Sequence, residues 1–312
     1  MLSRVAESLY WMSRYLERAE NTARLLDVHL NLNLELTPAA GQRRYEDVLS
    51  ALQVNFFEGQ LPSSTDLTLD TVVPESISNC IGGARENARQ IREQISSEMF
   101  EQINKLYLYI RSRPTQDRFA IEPNFVFGRV KDGVHLFQGI TDSTMTHGQG
   151  WQWIRAGRYL ERANLIVGVL LNHMRHLMDE AEGDPQHYSE LLGLLKSCTA
   201  WEAYCKVHGA ELTNLHVAEF LLLSREFPHS LHFSIHEMAK SLEALAQVTG
   251  MTAQVQLESK VGRLLSQLRY TSINELFEQS PIDFFHQVRS DMTDVNERLY
   301  RVYFSQSFAR AI

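Results

Sequence analysis

The chain has 312 residues, of which 44% are apolar and 22% are charged. This composition is typical of a globular protein with a sizeable core, so global disorder is excluded. Because the net charge is −8, we expect neither a nucleic-acid partner nor an anionic membrane partner.

Helical periodicity runs through almost the whole chain. Apolar residues recur every three or four positions, first over residues 2–34 and then in segments bounded by Pro and Gly. The predicted helices are 2–34, 43–58, 76–113, 131–147, 151–181, 187–208, 210–224, 230–249, 252–268 and 282–304. A short connecting element is predicted at 66–73 and a loop at 114–130.

The fold that this pattern predicts is an all-α, multi-helix bundle. Strand alternation and low-complexity linkers are both missing from the sequence, so we expect a single helical domain over residues 1–312. The consecutive glycines Gly82 and Gly83 inside a predicted helix indicate that another backbone approaches closely there.

Cysteine usage and the chain's first residues indicate a cytoplasmic protein. Three cysteines, Cys80, Cys198 and Cys205, are too few for a disulfide framework and favour a reducing compartment. Charged residues recur every few positions from the first residue onward, so we expect no signal peptide. The apolar run at 165–171 is too short to span a bilayer.

An identical hexapeptide occurs twice. RYLERA stands at residues 14–19 and again at 158–163, with Trp11 and Trp153 nearby in each copy. The spacing of 144 residues is close to half the chain. We therefore predict two pseudo-repeated halves, at about 1–147 and 148–312.

Helical spacing groups the charged residues of each repeat on one side of its helix. The first group is Arg14, Glu17, Arg18 and Asn21, and the second is Arg158, Glu161 and Arg162. Within each copy, one carboxylate would hold two guanidinium groups. Two interpretations stay open: an ion-pair network that ties helices together, or a central site whose spare arginine donors bind a carboxylate, phosphate or nucleotide.

A third basic segment, RENAR, contains Arg85, Glu86 and Arg89. Arg85 and Arg89 share a helix face with Arg92, and stacked arginines repel one another unless an anion or carboxylate faces them. The face is either a salt-bridged surface or a contribution to the same anion-binding cleft. Together with Arg92, which follows this segment, seven of the 24 arginines lie in or beside the two repeats and RENAR, against only six lysines in the whole chain.

Other arrangements of reactive residues give weaker signals. His229, His232 and His236, like His173, His176 and Glu180, have helical spacing but no zinc signature, so no metal is predicted. Cys198, Cys205 and His208 are better interpreted as packed side chains than as a catalytic pair. GxxxxGK[ST], GxGxxG and GxSxG are all missing from the sequence, and we predict no cofactor.

The sequence resembles the alpha-E family of bacterial proteins. The resemblance rests on Glu17-Arg18 and Glu161-Arg162 within the repeats, on ARENARQIREQIS at 84–96, on EQINKLY at 101–107 and on EFPHSLHFS at 226–234. One departure is His229, where the family favours Arg. The resemblance implies an all-α fold, a bacterial cytoplasmic protein, and a genomic setting beside circularly permuted ATP-grasp proteins.

Three functional hypotheses follow from the residues and the resemblance together. The leading one is an accessory helical protein that binds a small anionic ligand or peptide and acts with an ATP-grasp-type amide ligase in peptide or metabolite modification. The first alternative is an enzyme, a ligase or transferase that uses Glu17 or Glu161 as acid or base. The second is a structural interaction protein in which the clusters only hold helices together.

Overall fold

Two long helices, α1 (Ser3–Asn33) and α8 (Gln149–Leu177), form the centre of the computed structural model. They run parallel, since the Met1 amino group donates to Gln149 at one end and Leu25 faces Val169 further along. The predicted apolar stripe of α1 is buried against its neighbours from Leu9 to Leu26. This burial explains why a helix of this length is stable.

Gly157 permits the close approach of these two helices. A Cβ at this position would lie 2.4 Å from the Tyr10 carbonyl oxygen, which is closer than any real Cβ contact. Any larger residue would therefore push α1 and α8 apart at the level of the two hexapeptides.

Thirteen further α-helices surround this pair in the described part of the chain, which comprises residues 1–33, 37–54, 61–177, 185–249 and 252–305. The ones before α8 are α2 (Pro38–Ala51), α3 (Ser64–Leu69), α4 (Ile77–Gln90), α5 (Ser97–Ile110), α6 (Arg113–Phe119) and α7 (Pro123–Thr144). Those after it are α9 (Pro185–Ser197), α10 (Trp201–His208), α11 (Asn214–Leu223), α12 (Leu231–Thr249), α13 (Thr252–Tyr270), α14 (Ile273–Gln279) and α15 (Pro281–Leu299), which ends in a π-helical turn at Tyr300–Phe304.

The all-α prediction is confirmed, since these ranges contain helices and no strand. The order of packing is the same on both sides of the central pair. α1 contacts α4 and α7, and α5 bridges those two; α8 contacts α12 and α15, and α13 bridges those two. The origin of the halves in a duplication stays a prediction.

Several helices begin with proline residues in segments that were not predicted to be helical. The predicted loop at 114–130 is wrong, because Pro114 lies in the first turn of α6 and Pro123 is the first residue of α7. Pro38 begins α2 in the same way, with the Thr37 hydroxyl as its N-cap. Pro is favoured in a first helical turn, where its missing N–H costs nothing.

Two predicted helices are interrupted. The helix predicted at 76–113 is split between α4 and α5 by a 3₁₀ turn at Arg92–Gln94, with Ser96 capping the second part. The helix predicted at 187–208 is broken at Thr199, whose φ of 55° is left-handed. Neither break is marked by a Pro or Gly in the sequence. The predicted ends at residues 55–58 and 178–181 lie outside the described residues.

The glycines of α4 receive side chains rather than a backbone. Gly83 faces the ring of Tyr15 on α1, and a Cβ there would lie 3.1 Å from the ring carbons. Gly82 faces the guanidinium of Arg111. The predicted approach of another backbone is therefore wrong, because side chains occupy the space beside both glycines. Among the described helices, none has the length and apolar character needed to cross a bilayer.

Candidate functional site

The two RYLERA copies meet on the facing sides of α1 and α8 and exchange their partners. Both oxygens of Glu161 accept hydrogen bonds from the other copy: Arg14 Nε lies 2.8 Å from Oε2, and Arg18 Nε lies 2.6 Å from Oε1. We call Arg14, Arg18 and Glu161 the first cluster. The expectation that each carboxylate holds the arginines of its own copy is wrong, because the parallel helices bring the two copies side by side.

The second cluster consists of Glu17, Arg158 and Arg162. Arg162 Nε donates to Glu17 Oε1 at 2.6 Å, and Gln138 Nε2 donates to the other oxygen at 3.2 Å. Arg162 also donates from Nη1 to the Pro228 carbonyl at 3.2 Å. The second cluster thus repeats the Arg18–Glu161 contact with the copies reversed, and α7 and the segment before α12 enclose it.

Arg158 breaks the correspondence between the clusters. It occupies the place of Arg14, is only 8% exposed, and has neither a hydrogen bond nor an ion pair within the described ranges. Burial lowers its pKa, and the more distant Glu17 carboxylate opposes that effect. A buried guanidinium without a partner is costly, and an anion would relieve that cost.

The central charges do not balance. The two clusters hold four arginines against two glutamates, all largely buried except Arg18, whose side chain is 25% exposed. Burial alone would raise the pKa of Glu161, but the Arg18 and Arg14 guanidiniums outweigh it and hold that pKa at about 2. All four carboxylate oxygens therefore already accept a hydrogen bond, and the two clusters together keep an excess of two positive charges.

A solvent-connected cavity, about 350 Å³ when the open space at its mouth is counted, lies beside the first cluster. Its wall includes Arg14, Arg18, Glu161 and Asn21, with Gln53 from the residues after α2. Asn21 is 2% exposed, and its Oδ1 has no hydrogen-bond partner among the described residues. The residues of the second cluster do not line this cavity, so the two repeats share one helix interface but not one cavity.

The RENAR face lies apart from both clusters. Arg85 donates to Asn104 at 2.8 Å and stacks on Tyr107, both on α5. Glu86 and Arg89 form an exposed pair with each other. Over the described residues, no hydrogen bond or ion pair joins this face to the repeats, and the structure does not bring it into their cleft.

Several residues that support the clusters were not predicted from the sequence. Arg14 donates from Nη1 to Asn296 of α15 at 2.9 Å, and its guanidinium lies over the ring of Trp11. Tyr10 donates to the same Asn296 at 2.8 Å. Tyr10 lies one helical turn before Arg14, so helical spacing could have identified it. Asn296 and Gln138 come from distant helices and left no local signal.

The remaining reactive residues do not assemble into a second chemistry. Over the ranges that the structure covers, no three His, Cys, Asp or Glu side chains could hold a metal ion. The side chains of His176 and Glu180 lie outside those ranges. Burial raises the pKa of Cys198 to about 12, and His208 stacks on Tyr204 and His216, so the expected packed roles agree with the geometry.

The chain belongs to the Alpha-E family, described as a predicted alpha-helical domain with a conserved ER motif, which matches residues 1–304. It is 23% identical over 304 residues to uncharacterised proteins of Mycobacterium bovis and of Mycobacterium tuberculosis strains CDC 1551 and H37Rv. Each alignment covers 89% of this chain and 33% of the relative, so the chain spans about a third of the length of these curated relatives. No solved structure matches it.

Proposed function

We propose that this protein binds a small ligand carrying a carboxylate or phosphate at its central arginines, as an accessory to an ATP-grasp-type amide ligase. The observation that carries the binding role is the buried excess of four arginines over two glutamates at the α1–α8 interface. Arginine is suited to this role because its planar fork matches carboxylate and phosphate oxygens.

The cavity beside the first cluster supports a ligand with a second polar group. Arg18 uses Nε for Glu161, and its terminal nitrogens make no other hydrogen bond to described residues. Asn21 Oδ1 is a buried acceptor beside it. An anion with a neighbouring N–H, such as an N-acylated amino acid, would satisfy both groups.

The partnership with a ligase rests on the resemblance and on the chemistry that this chain lacks. Its sequence holds none of the common phosphate-binding loops. A partner would therefore supply nucleotide chemistry, and this chain would supply ligand binding in modification of a peptide or metabolite.

The enzymatic alternative is less well supported by the site. A general acid or base works best with a pKa near the operating pH, whereas that of Glu161 is held at about 2. Both oxygens of Glu17 already accept a hydrogen bond, one from Arg162 and one from Gln138, an arrangement that favours a charge-balancing role over proton transfer.

Calorimetric titration tests the binding role. We expect the wild-type chain to bind inorganic phosphate or N-acetylglutamate, and Arg18→Met to weaken binding about tenfold or more, as for loss of a charged hydrogen bond. Arg158→Met tests the second cluster in the same way. Arg113→Met, whose side chain is 81% exposed on α6, is the matched control. Equal binding by all four proteins, or no binding by the wild type, would overturn the proposal.

Mixing experiments separate the accessory role from the alternatives. We expect ADP release only when a purified ATP-grasp-type partner is added to the chain. Turnover by the isolated chain would favour the enzyme. Unchanged partner activity with Glu161→Leu, Arg14→Met and Arg18→Met combined would favour a purely structural role, since apolar residues can replace a buried ion-pair network.

A further inference from the structure

A second cavity lies in the same groove between α1 and α8, about two helical turns from the first cluster. It has a volume of about 560 Å³ counted to its opening, and its apolar wall includes Leu25, Val28 and Val169. The Ala51 backbone separates it from the cavity of the first cluster, since a Cβ on Gly168 would lie 2.8 Å from the Ala51 carbonyl oxygen. We call it the His29 cavity.

In the wall of the His29 cavity, His29 and Arg44 each have a buried polar atom with no hydrogen-bond partner among the described residues. His29 is 6% exposed, and its Nδ1 makes no hydrogen bond. Arg44 donates from Nη2 to Glu190 at 3.1 Å, while its buried Nη1 donates to no residue that the structure describes. Buried polar atoms are almost always hydrogen-bonded, so this pair indicates a ligand that supplies one donor and one acceptor.

The charges of the wall disfavour an anionic head group, and the unpartnered Arg44 N–H disfavours an ammonium group, which has no acceptor to offer it. Arg44 stands with two carboxylates, Glu190 and Asp47, so the wall has no positive excess to hold an anion. Burial, reinforced by the nearby Arg44, lowers the pKa of His29 to about 4, so the ring is neutral near pH 7. A neutral ring can accept a hydrogen bond at Nδ1.

We propose that the His29 cavity binds a neutral amide with a branched apolar body. The amide carbonyl accepts from Arg44 Nη1, its N–H donates to His29 Nδ1, and the apolar body packs on Leu25, Val28 and Val169. This site is independent of the anion site, because the Ala51–Gly168 contact closes the groove between the two cavities.

Three probes that share one apolar body test the head group: isovaleramide, isovalerate and isoamylamine. Titration followed by ligand-detected NMR at pH 7.5 should give saturable binding of isovaleramide with a Kd of about 1–50 mM, as expected for so small a ligand. The anion and the cation should bind about tenfold more weakly or not at all. No saturable amide binding, or isovalerate binding as tight as the amide, would overturn the proposal.

Variants then assign the contacts. His29→Phe and Arg44→Met should each weaken isovaleramide about tenfold, the effect of one buried hydrogen bond. Arg43→Met, the exposed neighbour on α2, is the matched control and should bind like the wild type. Unchanged binding in both test variants would contradict the assignment.

A readout in the wild-type chain keeps the test valid if a variant fails to fold. With ¹⁵N-labelled histidine, saturation with isovaleramide should shift the Nδ1 resonance of His29 and leave that of exposed His147 in place. Equal shifts at both histidines, or none at His29, would reject the site.

Discussion

Both oxygens of Glu161 accept a hydrogen bond from an arginine of the other repeat, and Glu161 itself is buried. Such a carboxylate contributes mainly by balancing charges that are already buried. Removing it leaves Arg14 and Arg18 as uncompensated cations. Replacing Glu161 alone should therefore lower the free energy of unfolding more than replacing all the charged residues of the first cluster with apolar ones.

Glu161→Gln should destabilise the protein by about 3–5 kcal/mol, the usual cost of breaking a buried ion pair from one side. Urea unfolding followed by circular dichroism measures the change. Glu86→Gln provides the control, because Glu86 pairs with Arg89 on the exposed face of α4 and its loss should leave the midpoint unchanged. If the urea midpoints of Glu161→Gln and the control were equal, the ion pairs of Glu161 would not contribute the expected stability.

The acid sensitivity of the protein should reflect the same residue. The pKa of Glu161 in the folded state is about 2, against 4.5 for the free group, so its stabilisation is complete above about pH 4.5 and is lost as the pH falls toward 2. At 1.36 kcal/mol per pKa unit, the effect is about 3 kcal/mol. Unfolding free energies measured from pH 6 to pH 2.5 should converge for wild type and Glu161→Gln. A constant difference across that range would contradict the assignment.

At the residue scale, sequence spacing predicted the charged sets but not their pairing. The residues of the two clusters were all predicted from the RYLERA repeats. Helical spacing describes only neighbours on one helix, so it could not show that Arg14 reaches Glu161 or that Arg158 lacks a partner. His29 and Arg44 come from different helices and share no motif, which is why the His29 cavity left no signal.

At the scale of the helices, the close contact of α1 and α8 depends on the backbone at Gly157. The Tyr10 carbonyl occupies the space that a side chain would need, and backbone atoms cannot move aside as a side-chain tip can. The hydrogen bonds of both clusters lie within about two helical turns of this contact. A small displacement here would lengthen them together.

Gly157→Ala should therefore destabilise the protein by about 1–3 kcal/mol, as for overpacking of a core. Gly139→Ala is the matched control, because Gly139 lies in α7 with nothing within 4 Å of an added Cβ. There the substitution should stabilise by about 0.5–1 kcal/mol, since Ala is the better helix former. Thermal unfolding of the two variants should thus shift in opposite directions, and a shift in the same direction would disprove the close-contact argument.

Helix boundaries were the least predictable part of the fold. Helical content followed from periodicity, but Pro114 and Pro123 were interpreted as loop residues when they begin α6 and α7. A proline can stand just after the end of a helix or in the first turn of the next one, and the side chain that caps the following helix is the local signal that distinguishes the two. Ser112 supplies that cap for α6, whereas α7 has no side-chain cap to find.

At the scale of the whole molecule, each half completes the charge balance of the other. Glu161 of the second half holds Arg14 and Arg18 of the first, and Glu17 holds Arg162. The aromatic core is shared as well, with Tyr10 packed against Trp153 and Phe304. Neither half has a complete core alone.

Residues 1–147 and 148–312 should therefore fail to fold when produced separately. We expect each to show reduced helical circular dichroism and no cooperative thermal transition. Coexpression should restore a one-to-one complex on size exclusion. A cooperative transition in an isolated half would show instead that the halves are separate domains.

The ion pairs between α1 and α8 join residues that are far apart in the sequence, so they should form late in folding. Arg14, Glu17 and Arg18 leave the ribosome more than a hundred residues before the partners that neutralise them. Contacts of such long sequence separation form slowly, since a long loop must close before they contribute any stability. The nascent first half therefore carries charged residues on its central helix before their partners exist, and we expect chaperones that shield incomplete chains to bind the protein in that state.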